Sequence, residues 1–301
     1  MSNLSLIKKL RETTGCGIAD CNKALAETGG DFEQAVDWLR KKGLSSAAKK
    51  SGRVTSEGVV AVAIEGGKAA VIEVNSETDF VARNQKFQEF VTKISVEALA
   101  FGDDIAKFQA EKDQEVKAQI GVIGENINIR RIASLAVSNG VIVNYIHNAI
   151  AQNMGKIAVL VALESPAVKE VAQEKLQEFG KQIAMHIAAA KPDALSVENV
   201  DPAKLARESE IFKEQARASG KPENIIEKMI QGRIRKYHEE VVLLEQNFVM
   251  DDKVKIKDLL AQFSKENGET KISAFKLFVL GEGIEKKEND FAAEVASMTK
   301  N

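Results

Sequence analysis

Cysteine and histidine are scarce in this chain: two of the first and three of the second among 301 residues. Cys16 and Cys21 stand five apart with no histidine near them, so neither a zinc set nor a disulfide framework is spelled out, and two reduced thiols in an intracellular protein are the simpler reading. Charge of one sign is lacking as well. Forty-two basic against 44 acidic residues leave a formal charge of −2, too little for a long-range field that would gather nucleic acid or anionic lipid. No apolar run reaches the roughly 20 residues of a membrane span, and the polar N-terminus has neither the apolar core of a signal peptide nor the arginine-rich bias of a transit peptide. The expectation is a soluble, cytoplasmic protein.

The parts of an active site are missing too. Gly281-Glu282-Gly283 precedes no Lys-Ser/Thr pair and Gly66-Gly67 sits in a hairpin, so no phosphate-cradling loop is present. His147, His186 and His238 are far apart in sequence, and none has a second ligand four residues on. His186, inside Ala184-Met185-His186-Ile187-Ala188, reads as a packed helix histidine. Without a nucleophile–base pair, a paired-carboxylate motif or a ligand set, no cofactor, no metal and no covalent chemistry are expected.

What is there centres on the stretch from Val71 to Asn84. The apolar run Val71-Ile72-Glu73-Val74 ends at a polar corner, and Phe80, Phe87, Phe90 and Ile94 follow at helical spacing. Thr78 or Asp79 is expected to cap that helix, leaving Phe80 in its first turn, where a ring can point outward. Asp-Phe also opens helical patterns at Asp31-Phe32 and Asp290-Phe291, so the dipeptide alone is an ordinary cap followed by a core ring.

An internal repeat separates the two readings. Gly67-Lys68-Ala69-Ala70-Val71-Ile72-Glu73-Val74 matches Gly155-Lys156-Ile157-Ala158-Val159-Leu160-Val161-Ala162, 88 residues later, and Gln88-Glu89-Phe90 matches Gln177-Glu178-Phe179. Two α+β units of strand hairpin plus helix are implied, lying side by side. Where the first has Ser76-Glu77-Thr78-Asp79-Phe80, the second has Glu164-Ser165-Pro166. Proline suffices to start a helix there, so Asp-Phe is not needed to build the corner and Phe80 is free for another use.

The rest of the chain is punctuated clearly. Three short helical patterns fill residues 1 to 43, the third starting at Asp31 and stopping at Lys41-Lys42-Gly43. Ser45 to Arg53 reads as a small, basic linker without the aromatics that stack on nucleic-acid bases. Val59 to Ile64 and Ala69 to Val74 form a hairpin, and a helical stretch covers Gln109 to Gln119. Ile123 to Arg131 alternates apolar and polar, as a strand with one buried face. Residues 203–240 form two amphipathic helices joined at Ser219-Gly220-Lys221-Pro222, an antiparallel hairpin. Strand character resumes at Val241 to Met250 and at Lys271 to Leu280, with a helix over Val254 to Phe263 between them, and Asp290 caps a last helix through Met298.

The string Glu77-Thr78-Asp79-Phe80-Val81-Ala82-Arg83-Asn84 after an apolar strand closely resembles the signature loop of the elongation factor Ts family, the guanine-nucleotide exchange factors for elongation factor Tu. Ile123-Gly124-Glu125-Asn126-Ile127-Asn128-Ile129-Arg130-Arg131 resembles a second signature of that family, and Asp20-Cys21-Asn22-Lys23-Ala24-Leu25 matches its N-terminal pattern. The resemblance covers nearly the whole chain. It implies an α+β fold with a ubiquitin-associated-like three-helix module and linker over residues 1–54. Two similar core subdomains follow over 55–140 and 141–280, the second carrying the hairpin at 203–240, and a C-terminal helical module ends the chain over 281–301. It implies elongation factor Tu as partner, no nucleic acid and no membrane, and a hairpin that some members use for dimer contacts. The partner-binding residues implied are Thr78, Asp79, Phe80, Val81, Ala82, Arg83 and Asn84 at the corner, Ile18, Ala19 and Lys23 in the first module, Ile123 and Gly124, and His147. From outside that class, a non-exchange adaptor or scaffold using the three-helix module and the hairpin stays open.

Overall fold

The computed structural model describes residues 3–166, 170–218 and 222–284. The turn at 219–221 and the helix expected through Met298 lie outside the described residues.

Helices α1 (Asn3–Thr14), α2 (Ile18–Glu27) and α3 (Phe32–Lys50) close around Leu10, Cys21, Ala24, Leu25, Ala35 and Leu39. The Asp31 carboxylate caps α3 by accepting from Gln34 N–H at 2.9 Å. The helix does not stop at Gly43 as its sequence suggests; it runs on to Lys50 and takes in most of the expected linker. Gly43 is instead a crossing point. A Cβ on Gly121 of the later helix α6 (Ile105–Ile123) would come within 2.8 Å of the Gly43 Cα, so the two backbones meet where neither has a side chain. One turn on, Ala47 is buried in the neighbouring core, and that tertiary contact outweighs the stop signal.

Strands β1 (Glu57–Glu65) and β2 (Lys68–Ser76) form a hairpin in register from Glu57↔Ser76 to Glu65↔Lys68. Helices α4 (Asp79–Ala82), α5 (Gln85–Glu97) and α6 follow, then β3 (Ile127–Ala136), β4 (Gly140–His147), β5 (Met154–Gly155) and β6 (Ile157–Glu164). After α7 (Glu170–Ala190) come the hairpin helices α8 (Pro202–Arg217) and α9 (Glu223–Val241), the short strands β7 (Asn247–Phe248) and β8 (Asp251–Lys255), helix α10 (Ile256–Asn267) and strand β9 (Lys271–Val279). One sheet has the order β3-β2-β1-β5 and the other β4-β6-β9. The repeat is visible here, since β2 lies between β1 and β3 as β6 lies between β4 and β9, each central strand followed by a helix that covers its sheet.

The two units are stacked face to face, not side by side. Val60, Val62 and Val71 of one sheet meet Ala158, Leu160 and Phe278 of the other in a shared layer. On the outer faces Ile72 and Val74 pack with Phe87, Phe90, Ile94 and Phe108 of α5 and α6, while Val159, Val161 and Leu163 pack with Leu176, Phe179 and Ile183 of α7. Helix, sheet, sheet, helix is the order of layers, and strands buried on both faces explain the unbroken apolar run of β6 and that of β2 up to Glu73. The fold is α+β.

Residues 241–250 do not rejoin the sheet. Helix α9 reaches Val241, a tight turn covers Leu243–Glu245, and among the described residues β7 pairs only with β8. Val242 and Leu243 are fully buried, pinning the base of the helical hairpin, and the backbone bridges to Ala194. Along the hairpin itself Ala216 and Ile226 are buried and Arg233 lies over the Phe212 ring.

Candidate functional site

Strand β2 ends at Ser76, whose hydroxyl donates to the Thr78 carbonyl at 3.0 Å and bends the chain into α4. Of that four-residue helix, Val81 and Ala82 are sunk in the core under the first sheet. They cannot touch a partner by their side chains; they anchor the helix so that Asp79 and Phe80 face outward. Phe80 is 79 % exposed. Leaving a phenylalanine in water forgoes about 1.5–3 kcal/mol of burial, a cost that nothing in the packing of the corner explains. Asp79 is exposed and, among the described residues, forms no ion pair.

The single helix expected from Asp79 onward is two helices broken at Arg83-Asn84. Asn84 restarts the chain: its side-chain oxygen accepts from Lys86 N–H at 2.9 Å and Phe87 N–H at 3.4 Å, capping α5. Arg83 ends α4 and is exposed.

Thr78 occupies the cap position of α4 but does not cap it. Its hydroxyl donates to Glu125 Oε1 at 2.6 Å and its N–H to Glu125 Oε2 at 2.9 Å, so one carboxylate takes both groups. The reverse bond runs beside it: Glu77 Oε1 accepts from Asn126 N–H at 2.6 Å. Glu77 also pairs with Arg53 at 3.2 Å, and the Asn126 amide donates to the Arg53 carbonyl at 2.9 Å. Two segments 47 to 49 residues apart in sequence are thus clasped at the root of the corner.

That clasp also corrects the strand expected over 123–131. Ile123 ends α6, half-buried against the core, and exposed Gly124 terminates the helix with φ +88°, its N–H bonded to Ile120 O at 2.9 Å. Glu125 and Asn126 are spent on the clasp, and β3 begins only at Ile127, from where the alternation holds, with Ile127 and Ile129 buried and Asn128 exposed.

The first module is docked beside this corner. Lys86, in the first turn of α5, donates to the Gly15 carbonyl just ahead of α2. Ile18 opens α2 at 59 % exposure, and Ala19 and Lys23 are exposed four residues apart, on one face of the helix. Among the described residues, His147 forms no hydrogen bond with a residue of the corner. It is exposed at the end of β4, where its Nδ1 lies 3.1 Å from the Tyr145 hydroxyl and its carbonyl accepts from Lys156.

Behind the corner, Glu73 is a fully buried carboxylate that the sequence disguises as one polar letter in an apolar strand. Burial pushes its carboxyl up, but the Gly281 N–H, the Arg131 guanidinium and the Asn75 amide outweigh that and hold it below the usual carboxylate range. Arg130 joins at 3.1 Å, and Arg131 also reaches Glu282 at 3.3 Å and stacks over Phe278. The group ties β2, β3 and the loop after β9 into one unit. His186 is also buried, its Nε2 2.9 Å from the Gln246 side-chain oxygen while its Nδ1 accepts from Val249 N–H. Burial pushes its imidazole below the ordinary range, as suits a packed neutral histidine.

Glu77, Glu125, Asn126, Arg53 and Glu73 are the site residues that sequence reasoning passed over. Four of them stand in or beside the two signature strings, yet nothing in either string says that it pairs with the other. Among the described residues no cluster of three His, Cys, Asp or Glu side chains is placed to hold a metal, and no helix is long and apolar enough to cross a membrane. The arrangement offers an exposed aromatic and an exposed carboxylate on a corner anchored from below by Val81 and Ala82, which is equipment for contact with another protein.

A family model described as Elongation factor TS matches residues 77–282, from the first residue of the clasp to the Glu282 that closes the buried ion group. The protein named Elongation factor Ts of Rhodospirillum centenum is 55% identical over 98% of this chain and 97% of its own length. Those of Brucella anthropi and Paramagnetospirillum magneticum, named likewise, are each 53% identical, over 98% and 97% of this chain and 98% and 96% of their own lengths. With its corner, its clasp and nearly its whole length matched, the chain belongs to the elongation factor Ts family.

Proposed function

We propose that this protein binds elongation factor Tu, a cytoplasmic GTPase of translation, and speeds GDP release by reshaping its nucleotide site, with no covalent step of its own. The observation that carries the reading is Phe80, 79 % exposed on a helix whose next two residues are buried. A ring held out in this way suits an apolar pocket between helices of the partner's nucleotide domain. Asp79 beside it brings an unpaired carboxylate toward the polar contacts that support Mg²⁺ and phosphate.

Reversing a 1:99 population takes about 5.5 kcal/mol of differential binding, and one buried phenylalanine supplies about 1.5–3 kcal/mol. Other surfaces must share the work. Ile18, Ala19 and Lys23 on α2, the Ile123-Gly124 turn, Arg83 and Asn84, and the separately placed His147 are the contacts we assign, with Thr78, Val81 and Ala82 shaping the corner from behind. Division at residues 54, 140 and 280 gives the first module, two core units and a C-terminal module, and the α8–α9 hairpin, with Ile211 and Ile225 exposed, is the surface for a homodimer.

Release of a fluorescent GDP from elongation factor Tu tests the reading. The wild type is expected to accelerate release strongly and Phe80→Ala to lose most of that effect at an unchanged melting temperature. No acceleration by the wild type would overturn the reading in favour of an adaptor.

A further inference from the structure

We propose that Glu125 and Glu77 are positioning residues that hold the Asp79-Phe80 corner in its binding conformation before any partner arrives. The inference rests on the exchange reading above and deepens it, since neither carboxylate needs to touch the partner.

Helix α4 has four residues, too few to be stable on propensity, because a helix that short has scarcely passed its nucleation cost. Two things fix it. Val81 and Ala82 hold its far end in the core. The near end has no side-chain cap, and the Thr78 hydroxyl and N–H are both committed to Glu125 at 2.6 and 2.9 Å. Charge-assisted bonds of that length are among the stronger ones a surface can offer. Glu77 repeats the device in reverse on Asn126 N–H, with Arg53 offsetting the crowding of Glu77, Asp79 and Glu125. Loss of the Glu125 carboxylate therefore frees Thr78 while leaving Phe80 itself and the core beneath it intact.

The consequence is a population effect. A partner that binds only the held corner sees its apparent affinity reduced by the fraction of molecules in which the corner is held. Once bound, the corner is the same. Glu125→Ala should raise the concentration giving half-maximal acceleration of GDP release about tenfold, equivalent to about 1.4 kcal/mol, and leave the saturated rate within a factor of about two. Phe80→Ala should lower the saturated rate. Glu125→Gln, which keeps one acceptor, should fall between wild type and Glu125→Ala.

Amide hydrogen exchange on the free chain supplies a readout that needs no partner. Thr78 and Asn126 are expected to be protected in the wild type, and Thr78 to exchange at least about tenfold faster in Glu125→Ala while β2 stays protected. Fast exchange at Thr78 in the wild type, or an unchanged half-maximal concentration in Glu125→Ala, would overturn the proposal. If the wild type fails to accelerate GDP release from elongation factor Tu, the exchange reading falls, and amide exchange still decides whether the clasp orders the corner.

Discussion

Glu73 shows how much one side chain can organise. Its carboxylate is fully buried in β2, three residues before the strand ends, and takes bonds from Arg130, Arg131, Asn75 and the Gly281 N–H. Replacing it by glutamine removes the charge that Arg130 and Arg131 share and leaves them the Glu282 and Val279 groups alone. Glu73→Gln should destabilise the fold by about 3 kcal/mol, the lower end of the cost of breaking a buried pair, because both arginines keep a route to solvent. The folded carboxyl lies below its unfolded value, so its contribution is present above the ordinary carboxylate range and is lost as pH falls through the folded value. Urea midpoints taken from neutral pH downward should therefore converge for wild type and Glu73→Gln at the acid end; a gap that stays constant would contradict the assignment. The exposure of Phe80 was legible because the second repeat dispenses with it. Glu73 was not, since a lone glutamate in an apolar run gives no hint of partners 57, 58 and 208 residues away.

At the level of elements, the α3–α6 crossing joins the first module to the core, and its two glycines are not equivalent. A Cβ built on Gly121 would meet the Gly43 Cα at 2.8 Å, whereas one built on Gly43 would sit 3.7 Å from the Gly121 Cα, in ordinary contact. Gly121→Ala should push the helices apart and cost about 1–3 kcal/mol of overpacking, while Gly43→Ala should be neutral or stabilise by about 0.5–1 kcal/mol through helix propensity. Thermal melts of the two variants check this, and equal effects would contradict the unequal clearances at the crossing. The same glycine explains a misread boundary. Lys-Lys-Gly is a regular helix ending when read locally, and only the position of α6 reveals that Gly43 is there for close approach. Asn84 misleads in the opposite way, since the phenylalanine periodicity runs smoothly through a break that a capping side chain imposes.

For the whole molecule, the repeat announced two related units, and the stacked sheets are its outcome. Stacking was hidden because β2 and β6 are buried on both faces and carry apolar residues on each, so their alternation does not say which face meets the other sheet. The corner emerges from the first sheet, the module that flanks it is fixed through α6, and the clasp joins the end of α6 to the end of β2. On the proposed reading, that continuity brings several surfaces to a partner together, as exchange requires when no single contact is strong enough. The proposed exchange requires a thermodynamic symmetry: on that reading this protein and GDP weaken each other's binding to elongation factor Tu by the same factor. Calorimetric titration of the protein into nucleotide-free and GDP-loaded elongation factor Tu, alongside the GDP affinity of the partner alone and of the complex, measures both sides of that relation. Exchange requires tighter binding to the nucleotide-free form, by the factor through which GDP is weakened; equal affinity for the two forms would contradict it.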